Sequence, residues 1–183
     1  WSRYMRKDKA FRGGLHKQLT KWVVNNASVM SAVSQKLMES MKDAGLKHPD
    51  FKLVYNYVDT DLFKPPKENL QNKVVHFLHV SCFEDKSKNI SGIIKVLEQL
   101  SQKGLKFQMT MVGDGIDFDM INSMITEKNL DHLITCTGVL EGQTLADYYQ
   151  QADYQVLFSH YETFGIVVYE GLAAGLPAIT TKT

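Results

Sequence analysis

Residues 74–80 read Val74-Val75-His76-Phe77-Leu78-His79-Val80, a short run of branched and aromatic side chains. That length and composition suit a strand covered on both faces of a parallel sheet. Outward from it, toward the carboxyl end, the pattern alternates regularly. A helix is expected from a cap at Asn89, with Ile90, Ile93, Ile94, Leu97 and Leu100 at helical spacing and Gly104 as its stop. Residues 107–112 form the next strand, closed by Gly113-Asp114-Gly115, and Phe118, Ile121, Met124 and Ile125 mark the helix after it. A third strand is read at 133–137, then a short helix at 144–151 with Leu145 and Tyr148 inward, and a fourth strand at 154–158. Residues 165–174 are helical by length and by Gly175 as a stop, although Ile166-Val167-Val168 alone suits a strand equally well. Residues 178–180 open a fifth strand.

Strands joined in this way by crossover helices make an α/β domain with a doubly wound parallel sheet, Rossmann-like, from about residue 73 onward. Ligands of such sheets sit outside the carboxyl ends of the strands. The site is therefore expected in the loops 81–89, 113–117, 138–143 and 159–165.

The chain before residue 73 is less regular. Residues 1–22 read as helix or helix plus loop, broken at Gly13-Gly14, and 23–33 as an apolar, β-branched stretch around Asn25-Asn26. A helix follows from Ser34, with Leu37, Met38 and Met41 on one face and Gly45 as its stop. A short strand is expected within 51–58. Residues 59–72, with Pro65-Pro66, read as a linker. The expected organisation is thus 1–58, a 59–72 linker, and a 73–183 domain. The first residue falls in mid-pattern and the last follows a strand-like run, so the chain is expected to be a piece truncated at both ends.

Composition narrows the function less than the motifs do. Of 183 residues, 44% are hydrophobic and 22% charged, enough for a packed domain and unlike a disordered chain. The net charge of +1 selects no partner, but residues 1–22 hold seven Lys/Arg against one Asp, a local +6. Such a segment meets anionic lipid or, more commonly, is a solvated helix face; no nucleic-acid partner is expected. Cys82 and Cys136 fit no metal spacing and suggest a reducing compartment. No apolar run approaches the ~20 residues of a membrane span.

The richest segment is Ser159-His160-Tyr161-Glu162-Thr163-Phe164-Gly165-Ile166-Val167-Val168-Tyr169-Glu170. With a helix starting near Thr163, the free amides of Thr163, Phe164, Gly165 and Ile166 and the positive dipole end make an anion site. Gly165 admits a phosphate close to the backbone. Glu170 then lies ~10 Å along the axis, a diphosphate and a ribose away, where a carboxylate can accept from ribose hydroxyls. Glu162 faces whatever lies beyond the phosphates. The plainer alternative makes Glu162 a helix cap and Glu170 an exposed face residue.

The run Glu162-Thr163-Phe164-Gly165-Ile166-Val167-Val168-Tyr169-Glu170, followed by GLAAGLPAIT, resembles the paired-glutamate signature of retaining glycosyltransferases with the GT-B fold, especially glycosyltransferase family 4. NYVDTDLF at 56–63, VGDG at 112–115, TGVL at 137–140 and ADYQVLFS at 152–159 resemble further segments of that family, in order. The resemblance covers about residue 27 to the end. It implies that Glu170 binds the ribose, the amides of residues 163–166 the diphosphate, and Glu162 the transferred sugar. It implies also that Leu140 lies against the base and that Lys88 neutralises the leaving diphosphate. Six residues before that lysine the family usually has an arginine; here Ser81-Cys82 stand, and no arginine follows Arg12. Lys86 is a partial substitute, as a point charge rather than a bidentate clamp.

Other patterns read as decoys. Asp59-Thr60-Asp61 and Asp117-Phe118-Asp119 suit turn or helix capping, so no metal is expected. Gly113-Asp114-Gly115 is half of a dinucleotide fingerprint. His79 and His160 receive no role, and Tyr148, Tyr149 and Tyr154 are read as core. The resemblance implies a donor-binding domain of a retaining GT-B glycosyltransferase that needs no cofactor beyond a UDP- or GDP-sugar. Its acceptor is a sugar or lipid-linked molecule, its setting cell-surface polysaccharide or glycolipid synthesis at the cytoplasmic face of a membrane. The piece alone is expected to be inactive. A sugar-nucleotide epimerase of the same fold, a non-catalytic nucleotide-binding module and an NAD-dependent oxidoreductase stay open as alternatives.

Overall fold

The computed structural model describes residues 14–67 and 74–182. The basic stretch falls mostly before residue 14, outside the described residues, as do 68–72 of the expected linker and residue 73. Contacts divide the chain into two compact units. One reaches to Tyr57 and includes Glu162–Phe164; the other takes Val58–Tyr161 and resumes at Gly165.

The first unit contains helix α1 (Gly14–Asn26), strand β1 (Met30–Ala32), helix α2 (Gln35–Asp43) and strand β2 (Phe51–Leu53), with β1 and β2 paired in parallel. Helix α1 runs through residues 23–26, which the sequence assigns to a β-branched stretch. Val24 is buried there, and Asn26 Nδ2 donates back to the Trp22 carbonyl one turn earlier at 2.8 Å. Ser34 caps α2 by accepting from the Leu37 amide at 3.2 Å. Leu37, Met38 and Met41 are buried as the spacing requires, packed with Val24, Ala32 and Leu46. The expected strand within 51–58 is only three residues long.

The second unit holds strands β3 (Val75–Val80), β4 (Phe107–Val112), β5 (Ile134–Gly138), β6 (Tyr154–Leu157) and β7 (Ala178–Thr180). They form one sheet in the order β5-β4-β3-β6-β7, every pair parallel. Between them lie helices α3 (Asp85–Lys88), α4 (Ile90–Gln102), α5 (Phe118–Glu127), α6 (Gly142–Gln151) and α7 (Ile166–Ala173). The doubly wound parallel sheet expected from the sequence is therefore present. Its strands alternate their side chains between two cores. Phe107, Met109 and Met111 of β4 join Ile90, Ile93, Ile94 and Leu97 of α4 and Ile121 and Ile125 of α5. Leu78 and Val80 of β3 face the other way, with Leu145, Ala146 and Tyr149 of α6 and Val167 of α7.

Two local expectations need correction. Asn89 precedes α4 but adopts a left-handed conformation, φ 53°, and its side chain makes no cap bond. Asp85 caps instead, accepting from the Ser91 amide and hydroxyl at 2.7 Å each. On α6 the deeply buried residue is Tyr149, not Tyr148, because the inward face is centred on Leu145, Ala146 and Tyr149.

Candidate functional site

Successive strands step from β3 to β4 to β5 on one side and from β6 to β7 on the other, so the build direction reverses between β3 and β6. The crevice outside the carboxyl ends of those two strands is where such sheets take their ligands. Three loops meet there within the second unit.

The loop after β3 is tied by backbone bonds to the loop after β4. The Ser81 amide donates to the Val112 carbonyl at 3.1 Å, the Phe83 amide to the Asp114 carbonyl at 2.9 Å, and the Asp117 amide to the Phe83 carbonyl at 3.0 Å. Gly113, at φ 135°, fits only because it lacks a side chain: a Cβ would stand 1.8 Å from the Ser81 carbonyl oxygen. Asp117, read as a helix-opening carboxylate, instead accepts from the Asp85 amide at 2.8 Å and so fixes the start of α3. From the other side the His160 amide, in the loop after β6, donates to the Ser87 carbonyl at 2.9 Å. Helix α3 is thus held between two loops, and it carries Lys86, exposed, and Lys88, half-buried.

His79 at the end of β3 is fully buried. Its Nδ1 lies 2.9 Å from the Val156 carbonyl and its Nε2 2.7 Å from the Ser81 hydroxyl. A carbonyl can only accept, so Nδ1 carries a proton and Ser81 hydrogen-bonds to the opposite edge of the ring. This histidine braces β3 against β6 at the reversal point.

The loop after β6 leads into α7. Gly165 has φ 72°, a left-handed conformation that no right-handed helix contains, so α7 begins at Ile166 rather than near Thr163. Thr163 and Phe164 belong by their contacts to the first unit, where Ser34 donates to the Thr163 carbonyl at 2.7 Å and the Phe164 ring lies 6.5 Å from that of Tyr55. Their amides are not helix-end donors. The first-turn amides of Ile166 and Val167 are. Glu170 therefore lies four residues from the helix start, ~6 Å along the axis rather than ~10 Å.

Glu170 is half-buried, not an exposed face residue. Its Oε2 accepts from the Tyr149 hydroxyl at 3.0 Å. Burial raises the Glu170 carboxyl above its ordinary range, and the Tyr149 hydrogen bond partly offsets this. Tyr149 itself is 1% exposed, and burial first, then the Glu170 charge, pushes its phenol strongly upward, so it stays a donor. Gln155 completes the group: its Nε2 donates to the Val167 carbonyl at 2.9 Å, 3.1 Å from which lies the Tyr149 hydroxyl. The sequence pattern places Tyr149 in the core and gives Gln155 no role. A glutamine in the middle of a doubly covered strand was the available signal, since a buried amide must find partners on the flanking helices.

Leu140, in the loop after β5, packs against the core shared by α6 and α7. Asp59 accepts from the amides of Asp61 and Leu62 at 3.0 and 3.2 Å, a turn device as expected. Among the described residues no cluster of three His, Cys, Asp or Glu could hold a metal ion, and no helix is long and apolar enough to cross a membrane.

The chain is 23% identical over 171 residues to N-acetyl-alpha-D-glucosaminyl L-malate synthase of Bacillus anthracis, an alignment that covers 90% of this chain and 44% of that protein. Among solved structures, sucrose-phosphate synthase of Thermosynechococcus elongatus superposes with a TM-score of 0.80 at 23% identity, over 98% of this chain and 47% of that one. Anabaena HepE, solved with UDP and glucose, gives 0.78 at 21% identity, over 93% and 49%. The chain thus spans about half of the proteins it matches, and the shared architecture is that of GT-B glycosyltransferase domains. The profile of the glycosyl transferases group 1 matches residues 61–183, well over half of the sequence and nearly all of the second unit. With that match the resemblance drawn from the paired glutamates holds as far as a GT-B glycosyltransferase domain, and the chain belongs to the glycosyl transferases group 1.

Proposed function

We propose that the second unit binds the nucleotide diphosphate of a UDP- or GDP-sugar, and that the whole protein transfers the sugar to an acceptor with retention, as in glycosyltransferase family 4. The observation that carries this reading is the half-buried Glu170 carboxylate, oriented by Tyr149, one turn below the free amides of Ile166 and Val167. Those amides, with Gly165 leaving room beside them, receive the diphosphate. Glu170 accepts hydrogen bonds from the ribose hydroxyls, and Leu140 packs against the base. Glu162, three residues before Gly165 in the chain, is assigned to the transferred sugar. In the transfer step the bond between the anomeric carbon and the diphosphate oxygen breaks, and its electron pair leaves with the diphosphate. Lys88 meets that growing charge, a contribution worth ~3 kcal/mol in comparable anion sites. The acceptor hydroxyl forms the new bond and passes its proton to the departing diphosphate oxygen. No arginine follows Arg12, so the second unit itself holds the diphosphate by point charge and amides rather than by a guanidinium fork.

The acceptor is proposed to be a sugar or lipid-linked molecule of a polysaccharide or glycolipid route on the cytoplasmic side. The basic segment of residues 1–22 suits an anionic membrane surface. Calorimetric titration of the chain with UDP, GDP, ADP and NAD tests the donor site. Binding of a nucleoside diphosphate that Glu170→Ala abolishes is the expected result. Binding of NAD alone would remove this reading and favour an oxidoreductase.

A further inference from the structure

We propose that Tyr149 and Gln155 are positioning residues that set the ribose selectivity of the nucleotide site, by holding the Glu170 carboxylate where it can take the 2′-hydroxyl. The inference rests on the reading of Glu170 as the ribose ligand and adds residues that touch no substrate.

The Tyr149 hydroxyl has one hydrogen and two acceptors in reach, Glu170 Oε2 at 3.0 Å and the Val167 carbonyl at 3.1 Å. Gln155 weighs between them. Its Nε2 already donates to the Val167 carbonyl at 2.9 Å and occupies one of that oxygen's two lone pairs, which favours the carboxylate as the acceptor of the tyrosine proton. A hydrogen bond to an ionised oxygen is also the stronger choice. One lone pair of Oε2 is thereby fixed, and the carboxylate plane with it. The remaining lone pairs keep one orientation for a ligand.

The packing around this group is specific to it. Gln155 is fully buried on β6, and its Oε1 has no hydrogen-bond partner. That oxygen lies against Gly171 of α7, where a Cβ would come within 2.4 Å. A glycine is therefore needed on α7 one residue after the glutamate, so that the helix can approach a buried amide. The Tyr149 ring is set edge-on to Phe63, centroids 5.7 Å apart at 84°, which fixes the direction of its hydroxyl. An orphaned buried acceptor, a helix thinned to meet it and a clamped phenol are a costly arrangement for the core alone. They converge on Glu170.

The experiment compares UDP, GDP and ADP with the 2′-deoxy form of each, by calorimetry on the full chain. The wild type is expected to prefer the ribonucleotide that binds by about 20-fold, one hydrogen bond to a charged acceptor. Tyr149→Phe keeps the ring on Phe63 and should reduce that ratio to about threefold, with circular dichroism unchanged. Gln155→Leu frees a lone pair of the Val167 carbonyl, makes it a stronger competitor for the tyrosine proton and should lower the ratio part of the way. It also serves as the test should Tyr149→Phe fail to fold. A change confined to stability, with the ratio intact in both variants, overturns the proposal. Glu170→Gln separates the two levels: if it flattens the ratio while the other variants keep it, only the positioning role fails. If Glu170→Gln keeps the ratio, or none of the three nucleotides binds, the ribose reading fails and this inference with it.

Discussion

The two faces of the β3–β7 sheet are built on opposite plans. The face under α4 and α5 is packed with Phe83, Ile90, Ile94, Met109, Met111 and Ile121, all at 1% exposure or less and none carrying a group that needs a partner. The face under α6 and α7 encloses Tyr149 and Gln155, the latter with an unpaired oxygen, and leads to a half-buried carboxylate. Apolar burial stabilises at ~25 cal/mol per Å² without conditions, whereas buried polar groups repay their desolvation only through well-placed partners. Each task therefore has its own side: one face keeps the sheet folded, and the other gives up some stability to hold a charge in place.

The largest expected effect breaks the first face. Ile94→Ala should cost about 4 kcal/mol in denaturant unfolding, a transfer loss plus a cavity in a fully buried site. The folded fraction should bind nucleotide with unchanged affinity. Loss of affinity at full folding would mean that this face is not merely structural.

The second effect belongs to the other face and reverses the pattern. Glu170→Gln should weaken binding of the nucleoside diphosphate by about 30-fold, roughly 2 kcal/mol. Its unfolding free energy should hold or rise, because a half-buried charge is removed while the Tyr149 hydroxyl keeps an acceptor. A variant that loses stability in proportion to affinity would place Glu170 in the core instead.

The same contrast governs what could be read in advance. Helix α4 was legible because its apolar residues sit on one stripe, and the strands around it because each is a short branched run between turns. Helix α7 was harder. Ile166-Val167-Val168-Tyr169 is apolar all round, with Tyr169 and Leu172 left half-exposed, so no stripe marks its inner face. Gly175 sets its length and does end it at φ 81°, but a start near Thr163 is three residues early. Gly165 reads in the sequence as room for a phosphate, and its left-handed backbone, which sets the helix boundary, leaves no mark in composition. Asn89 failed for a related reason. Its type suits a cap, yet its φ of 53° turns the side chain over Gly92, and the distant-looking Asp85 does the work. Tyr149 was recognised as buried, but a tyrosine chosen for its hydroxyl and one chosen for its ring read alike until the acceptor is located.

A third prediction uses pH to move the two properties in opposite directions. The folded Glu170 carboxyl titrates above its unfolded value because burial disfavours its charge. As pH falls through that raised value, Glu170 takes a proton and nucleotide affinity should decline toward that of Glu170→Gln. The linkage term has the other sign. The folded state binds this proton more readily than the unfolded one, so the group's contribution to stability grows as pH falls from above the folded value to below the unfolded one. Affinity and unfolding measured across that window should diverge in the wild type, and Glu170→Gln should remove the divergence. Parallel slopes would detach Glu170 from the nucleotide.

The smallest effect tests whether support for the second face reaches beyond its helices. Asp59 accepts two amides of the following turn, and its carbonyl accepts from the Phe63 amide at 2.9 Å, which seats Phe63 against Tyr149. Asp59→Ala removes only the side-chain acceptor, so two exposed amides turn to water and the turn loosens at a cost of about 1 kcal/mol. The Phe63 bond is made by backbone and survives. Unfolding should therefore report the loss while nucleotide affinity stays within twofold, with or without added Mg²⁺ or Mn²⁺. A larger drop in affinity that returns with metal would give Asp59 and Asp61 a part in holding the donor. A drop insensitive to metal would mean that the turn transmits to Tyr149 through Phe63, extending the polar face's support into the segment before β3.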